Sequence, residues 1–302
     1  MLEFGTRASV AICIPTFRRP KMLRRLLGAI AALETHAQIS VLVADNDTEG
    51  RAGLNLCLAM EGYRWPLTAV IAPQRGIAQV RNILLEYALM TGAQFIAMID
   101  DDEWPQKDWI DQFLKSAQQS GADVLQGSIL LGQGDGHGDI RRPTGAVAML
   151  QGAGNLLIRR TVLEAMTAPW FDPQFALSGG EDQDFFMRLK RSGKSFAWCD
   201  EARVHGDIPA SRASLGWLLR RSYSVGNSDM RVLLKYRLTP IQFTLEILKI
   251  LASLLLSPPA AVILAVVPNR RALALQKLFR AAGKLSAVAG WRYNEYAVIH
   301  GE

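Results

Sequence analysis

Four consecutive acids, Asp100-Asp101-Asp102-Glu103, form the densest chemical signal in the chain. Adjacent carboxylates repel, and each raises the pKa of its neighbours. A divalent cation with oxygen ligands removes that penalty, and magnesium typically takes one or two carboxylates plus substrate phosphates. The competing reading is a solvated turn between strand and helix, with Asp108 or a neighbour capping the helix. A second group is Gly179-Gly180-Glu181-Asp182-Gln183-Asp184. Its glycines permit a tight turn, and acids at the start of a helix are favoured by the dipole there. It is either an ordinary acidic first turn or a carboxylate held beside an acceptor as general base.

Three weaker signals accompany these. Arg81, within Arg75–Asn82, falls in the first turns of a helix, away from Ile77, Val80 and Leu84. It is a surface arginine or a guanidinium suited to bidentate pairing with pyrophosphate. Gly152-Ala153-Gly154-Asn155 is a loop of small residues. His205 follows a short apolar strand, Ala202-Arg203-Val204, as a structural hydrogen-bonding residue or a metal ligand.

The elements that must position these groups alternate. Val10–Ile14 reads as a buried strand, broken at Pro15-Thr16, and Pro20 suits the first turn of a helix. Met22, Leu23, Leu26, Leu27, Ile30 and Leu33 then recur at helical spacing. Ile39–Ala44, Leu67–Ala72 and Phe95–Ile99 read as further strands. Helices follow the third strand (Ile77, Val80, Leu84, Tyr87) and the fourth (Ile110, Phe113, Leu114, Ala117). This alternation predicts an α/β fold with a mainly parallel sheet covered on both faces. In such sheets ligands bind beyond the carboxyl ends of the strands. Thr16–Arg19, Asp45-Asn46-Asp47 and the four acids all fall at such ends. Beyond them, short strands are expected at Gly154–Ile158 and Ser195–Cys199, and helices at Gln183–Ser192 and Ser214–Val225.

With 302 residues, 49% hydrophobic and 21% charged, the chain suits one large α/β domain with an appendage, and global disorder is excluded. Cys13, Cys57 and Cys199 lack metal-ligand spacing, and so sparse and odd a count points to reduced thiols in a cytoplasmic setting. No signal peptide is expected at the N-terminus, so the glycosylation pattern Asn46-Asp47-Thr48 is read as chance. Residues 1–200 carry 20 Lys and Arg against 22 Asp and Glu, whereas residues 201–302 carry 14 against 6. The basic excess of the C-terminal third points to an anionic partner. Aromatic-interleaved basic motifs are not evident, so the expected partner is a membrane surface and not nucleic acid.

After residue 230 the composition turns apolar, then basic, which sets an expected division into 1–230 and 231–302. Ile241–Ser257 is strongly apolar, yet Gln242, Glu246, Lys249, Ser253 and Ser257 form one polar stripe on a helix. Pro258-Pro259 is expected to interrupt it before the roughly 20 apolar residues a spanning helix needs. Lys277, Arg280 and Lys284 lie on one side of a following helix and Leu278, Leu285 and Val288 on another, a pattern that suits an anionic interface. The alternatives are packing on the catalytic domain, an oligomer contact, or a single re-entrant or spanning pass through Ile241–Val267.

Val10–Pro20, Asp45, Arg75–Asn82, Asp100–Glu103, Gly152–Asn155 and Glu181-Asp182 occur in the order expected of family 2 glycosyltransferases, which the chain resembles over residues 8–230. The stretch His205, Pro209, Arg212, Trp217, Arg220-Arg221, Gly226 and the tail Gly283-Lys284, Gly290, Tyr293, Tyr296 look more narrowly like bacterial exopolysaccharide glycosyltransferases of the succinoglycan type. The resemblance implies a GT-A fold, a nucleotide-sugar-binding αβα sandwich, here with C-terminal amphipathic helices. It places Pro15, Thr16, Phe17 and Arg18 at the nucleotide, Asp45 at uracil or ribose, and Arg75 and Arg81 near the nucleotide. Asp100 or Asp101 would reach ribose, Asp102 a magnesium or manganese ion, and His205 the metal or pyrophosphate. Asp182 matches the catalytic base, and Glu181 would contact acceptor or support the base. The implied reaction is inverting transfer of a hexose from a nucleotide-sugar donor, a UDP-sugar above all, to a saccharide or lipid-linked oligosaccharide at the cytoplasmic face of the inner membrane. The rival readings are a nucleotidyltransferase, which needs no acceptor-side base, and a non-catalytic membrane scaffold that binds nucleotide-sugar.

Overall fold

The computed structural model describes residues 7–131, 139–207, 214–264 and 268–294. Pro209, Arg212 and Tyr296 of the resemblance, and residues 265–267 of the apolar run, lie outside them. Chain order is β1 (Ser9–Thr16), α1 (Pro20–Ala31), β2 (Gln38–Asp45), α2 (Ala52–Leu58), β3 (Leu67–Ile71), α3 (Ile77–Met90), β4 (Phe95–Met98) and β5 (Glu103–Pro105). Then come α4 (Trp109–Ser120), β6 (Val124–Leu131), β7 (Gly145–Val147), β8 (Leu156–Arg159), α5 (Arg160–Glu164), α6 (Glu181–Arg191), β9 (Phe196–Gly206), α7 (Leu215–Lys235), α8 (Pro240–Ile263) and α9 (Pro268–Val288).

The chain divides into two compact units, one of residues 7–173 and 185–207, the other of Gln174–Asp184 with α7 to α9. Residue 230, where the composition changes, lies inside α7. In the first unit one sheet runs β3-β2-β1-β4-β8-β6-β9-β5, with β7 on β9. Six strands run one way, and β5, β7 and β8 run against them. β1 is buried from Val10 to Thr16, because an unbroken apolar strand is stable only when both its faces are covered. Leu23, Leu26, Leu27 and Ile30 of α1 supply part of that cover, at the spacing their sequence predicts.

Two strands expected separately, at 195–199 and 202–204, are one strand, β9. Asp200 and Glu201 break the apolar pattern between them. The sheet absorbs the polar residues as an irregularity: Gly127 pairs with Cys199, yet Ile129 pairs with Val204.

In the second unit α8 corrects the expected interruption. It runs unbroken through Pro258 and Pro259 to Ile263 and is the one helix among the described residues long and apolar enough to cross a membrane. Proline removes an amide donor and crowds the preceding turn, but its fixed φ is itself helical. Buried Ser257 and Ala261 flank the pair, so packing holds the last turns. Two of the three basic residues named on α9 are also committed within the unit: Arg280 pairs with Asp229 of α7 and Lys284 with Glu246 of α8. The polar stripe of α8 therefore includes an internal contact through Glu246. Ile241, Leu248, Leu255, Leu256, Val262 and Ile263 stand exposed.

Candidate active site

The chain proceeds from β1 outward through β2 and β3, then returns to the other flank of β1 as β4. A crevice opens beyond the carboxyl ends at such a reversal. Thr16 ends β1 in register with Asp45, which ends β2. The acid cluster follows β4. Across the reversal, Thr16 Oγ1 donates to Asp101 Oδ2 at 2.8 Å.

Each of the three aspartates meets an arginine. Arg19 Nη1 lies 3.1 Å from both Asp101 Oδ1 and Asp102 Oδ2. Buried Arg81 reaches Asp100 Oδ1 at 3.2 Å. Burial is the chief cause that raises the Asp101 carboxyl to about 6; Asp102 and Asp100 add to the rise, while Arg19 and the Thr16 hydroxyl oppose it. Glu103 lies behind the cluster in β5, fully within the protein, and its Oε2 accepts the Asp100 amide at 3.3 Å. Burial, then Asp100 and Asp102, push it well above the carboxylate range. A Cβ on Gly154 would come within 2.9 Å of Glu103 and 3.2 Å of Asp100, so the loop of small residues closes against these acids. Its last member, Asn155, is a structural pin: it accepts from Trp109 Nε1 and donates to the Ser128 and Ala202 carbonyls.

Asp45 is fully buried. Its Oδ1 accepts the Asp47 amide, and its Oδ2 accepts the amides of Gly53 and Leu54, so it organises the loop after β2 and the start of α2. Asn46 spans to the loop before α3, donating to the Ala72 and Gln74 carbonyls and accepting from Gly76. That buried, fully used amide accords with a chance glycosylation pattern. Arg18 takes a left-handed backbone conformation and pairs with Asp47 at 3.1 Å. The Phe17 ring carries Arg75 at 4.0 Å and Arg18 at 5.1 Å from its centroid. Pro15 sits within β1 beside Ala44. An aromatic face with two guanidiniums and a row of acids can receive a base, a ribose and a diphosphate.

His205 lies on β9 opposite Trp104 of β5. The rings stack at 5.8 Å, and Arg25 covers Trp104 at 3.2 Å. Among the described residues no three His, Cys, Asp or Glu side chains converge as a metal cage. Asp102 retains 19% exposure. Asp100 is more open still, at 36%, and one or two accessible carboxylates fit an ion that takes the rest of its ligands from a diphosphate and water.

In the second unit the three acids of α6 differ. Glu181 and Asp184 are buried and Asp182 is half-buried. Asp184 is held by Lys235 and by the Tyr236 hydroxyl. Asp182 is thus the acid of this turn with access to a ligand.

Trp104 and the burial of Glu103 escape the sequence reading, while Arg19 and Asn46 appear in it as members of polar clusters at strand ends, with no role of their own. Nothing local ranks Arg19 above Arg18.

Comparison with known proteins follows the same outline. The description "Glycosyl transferase family 2" matches residues 11–167. A succinoglycan biosynthesis protein, ExoM of Rhizobium meliloti (strain 1021), is 32% identical over 249 residues, covering 74% of each chain. Among solved structures, S. aureus TarS 1–349 in complex with UDP-GlcNAc superposes with a TM-score of 0.53 at 16% identity, covering 95% of this chain and 93% of that one. The mannosyltransferase PcManGT of Pyrobaculum calidifontis, in complex with GDP-Man and Mn2+, gives 0.58 at 16% identity, covering 97% and 78%. These likenesses identify a GT-A fold.

Proposed function

The chain belongs to glycosyl transferase family 2, and from that premise we propose that it is an inverting hexosyltransferase of exopolysaccharide synthesis. Its donor is a nucleotide-diphosphate sugar, a UDP-sugar above all, and its acceptor a hydroxyl of a saccharide, lipid-linked at the cytoplasmic membrane face. The observation that carries the reading is the cluster at the sheet reversal, where Thr16, Arg19, Asp101 and Asp102 join the ends of β1 and β4.

The chemistry follows from the groups present. Phe17 offers a face for the base, flanked by Arg18 and Arg75. Asp100 and Asp101 supply acceptors for ribose hydroxyls, and Arg81 a fixed cation nearby. Asp102 would hold magnesium or manganese, with His205 as the second candidate; the bound ion would neutralise charge on the departing diphosphate. Asp182 takes the proton of the acceptor hydroxyl as that oxygen attacks the anomeric carbon. Glu181 supports the same turn. One carboxylate opposite the leaving group suffices for single displacement, which inverts the anomeric centre. The exposed apolar face of α8 and the basic C-terminal third support membrane attachment, which brings a lipid-linked acceptor within reach.

The test is a donor screen. Purified protein is incubated with UDP-glucose, UDP-galactose, UDP-N-acetylglucosamine or GDP-mannose and a membrane lipid extract, and products are read by mass spectrometry. One added hexose on a glycolipid supports the reading. Nucleotide transfer, or binding without product, would replace it with a nucleotidyltransferase or a scaffold.

A further inference from the structure

The turn that carries Asp182 has little intrinsic reason to hold its shape. Gly179 and Gly180 both take positive φ, 75° and 95°, a region glycine enters freely and leaves as freely. What holds it is α7. Ser228 Oγ donates to the Ser178 carbonyl at 3.0 Å, and Arg231 donates to Ser178 Oγ and to the Gln174 carbonyl. Lys235 and Tyr236 hold Asp184, and Ser228 closes on Gly180 so tightly that a Cβ there would sit 3.0 Å away. Asp229 does something the others do not. One of its oxygens accepts from Gln183, the neighbour of Asp182, and the other accepts from Arg280 of α9. α9 is itself fixed to α7 where Gly226 and Gly283 meet the opposing backbone; a Cβ on either would lie 2.0 Å from a carbonyl oxygen.

We propose that Asp229 is a positioning residue for the transfer reaction, tying the turn that carries the base to α9 and so to the C-terminal helices. The proposal rests on Asp182 being the base. A general base must stand within hydrogen-bond reach of the proton it takes, and a displacement of about 1 Å can cost on the order of 10²-fold in rate. The C-terminal helices thereby do more than attach the enzyme to a surface: they hold one side of its chemistry in place.

The experiment uses the full chain with Asp229→Ala, Asp229→Asn and Asp182→Asn. Asparagine keeps an acceptor for Gln183, and alanine does not. Amide exchange over residues 178–184 should be at least tenfold faster in Asp229→Ala and near wild type in Asp229→Asn. With whichever of the four screened donors turns over fastest, kcat should fall at least tenfold in Asp229→Ala, with donor KM changed less than twofold. Asp229→Asn should recover most of that loss, which simple loss of folding would not produce. Unchanged exchange over 178–184 in Asp229→Ala overturns the proposal whatever the activity. Wild-type kcat in Asp229→Ala beside an inactive Asp182→Asn overturns it while leaving the base in place. Wild-type kcat in both variants overturns the base assignment and the positioning role together.

Discussion

Arg19 Nη1 stands 3.1 Å from Asp102 Oδ2, the most accessible carboxylate of an ion pair that also takes in Asp101. An arginine here lets adjacent acids remain together before any donor arrives. A cation arriving with a diphosphate must share Asp102 with that guanidinium or displace it, so metal and donor are expected to bind together.

Asp102→Asn should therefore abolish turnover and weaken manganese-dependent UDP binding at least tenfold. Titration calorimetry with UDP, in manganese and in chelator, measures this. Full activity in chelator, or unchanged metal dependence in the variant, would remove Asp102 from the metal site.

Asp101 gives a pH signature. Its carboxyl titrates near 3.8 when exposed and is raised to about 6 in the folded chain. The folded state thus binds the proton more tightly. Its contribution to stability is full below pH ~3.8 and is lost as pH rises through ~6, roughly 3 kcal/mol in all. Asp101→Asn should gain in stability relative to wild type as pH rises from 4 to 7 in chelator. Parallel urea denaturation series check the sign, and a gap that stays constant with pH would contradict it.

Asp182→Asn should lower kcat by about 10²–10⁴-fold while leaving donor binding nearly intact. Single-turnover kinetics with the screened donor separate the two effects. A product with the donor's anomeric configuration would exclude single displacement.

Lys235→Met should destabilise the second unit by about 3 kcal/mol, because it strips a cation from a carboxylate, Asp184, that is fully buried. Denaturant unfolding checks this. The double variant Lys235→Met with Asp184→Asn should recover part of the loss.

The membrane reading is best tested on the surface of α8. Truncation after Leu238 would also remove the partners of Asn227, which donates to Ser286 and to the Trp291 carbonyl. Replacing Leu248, Leu255 and Leu256, all more than half exposed, with serine leaves that contact alone. Each leucine contributes ~1.5–3 kcal/mol when withdrawn from water. The triple variant should float with phosphatidylglycerol vesicles at least tenfold less than wild type. Equal flotation would clear α8, and wild-type protein that ignores the vesicles would end the membrane reading.

The sequence by itself determined the alternating strands and helices and the placing of acids beyond strand ends. Both depend on local periodicity: Val10–Ile14 is unbroken apolar, Leu23 to Ile30 recur on one helical face, and Phe95–Ile99 runs straight into Asp100. It also ranked the family signals, since their order along the chain survives without coordinates. Tertiary structure alone decided which groups meet. Arg19 and not Arg18 faces Asp102, 83 positions away. Asp45 turns inward to serve α2, and Asp184 finds Lys235 across 51 positions, leaving Asp182 as the accessible acid of its turn. α8 passes through Pro258-Pro259 and leaves its leucines exposed while Glu246 meets α9. None of these follows from spacing. A side chain's partner is set by how distant segments pack, and burial, which decides whether a carboxylate is a ligand, a cap or half of an ion pair, exists only once they have done so.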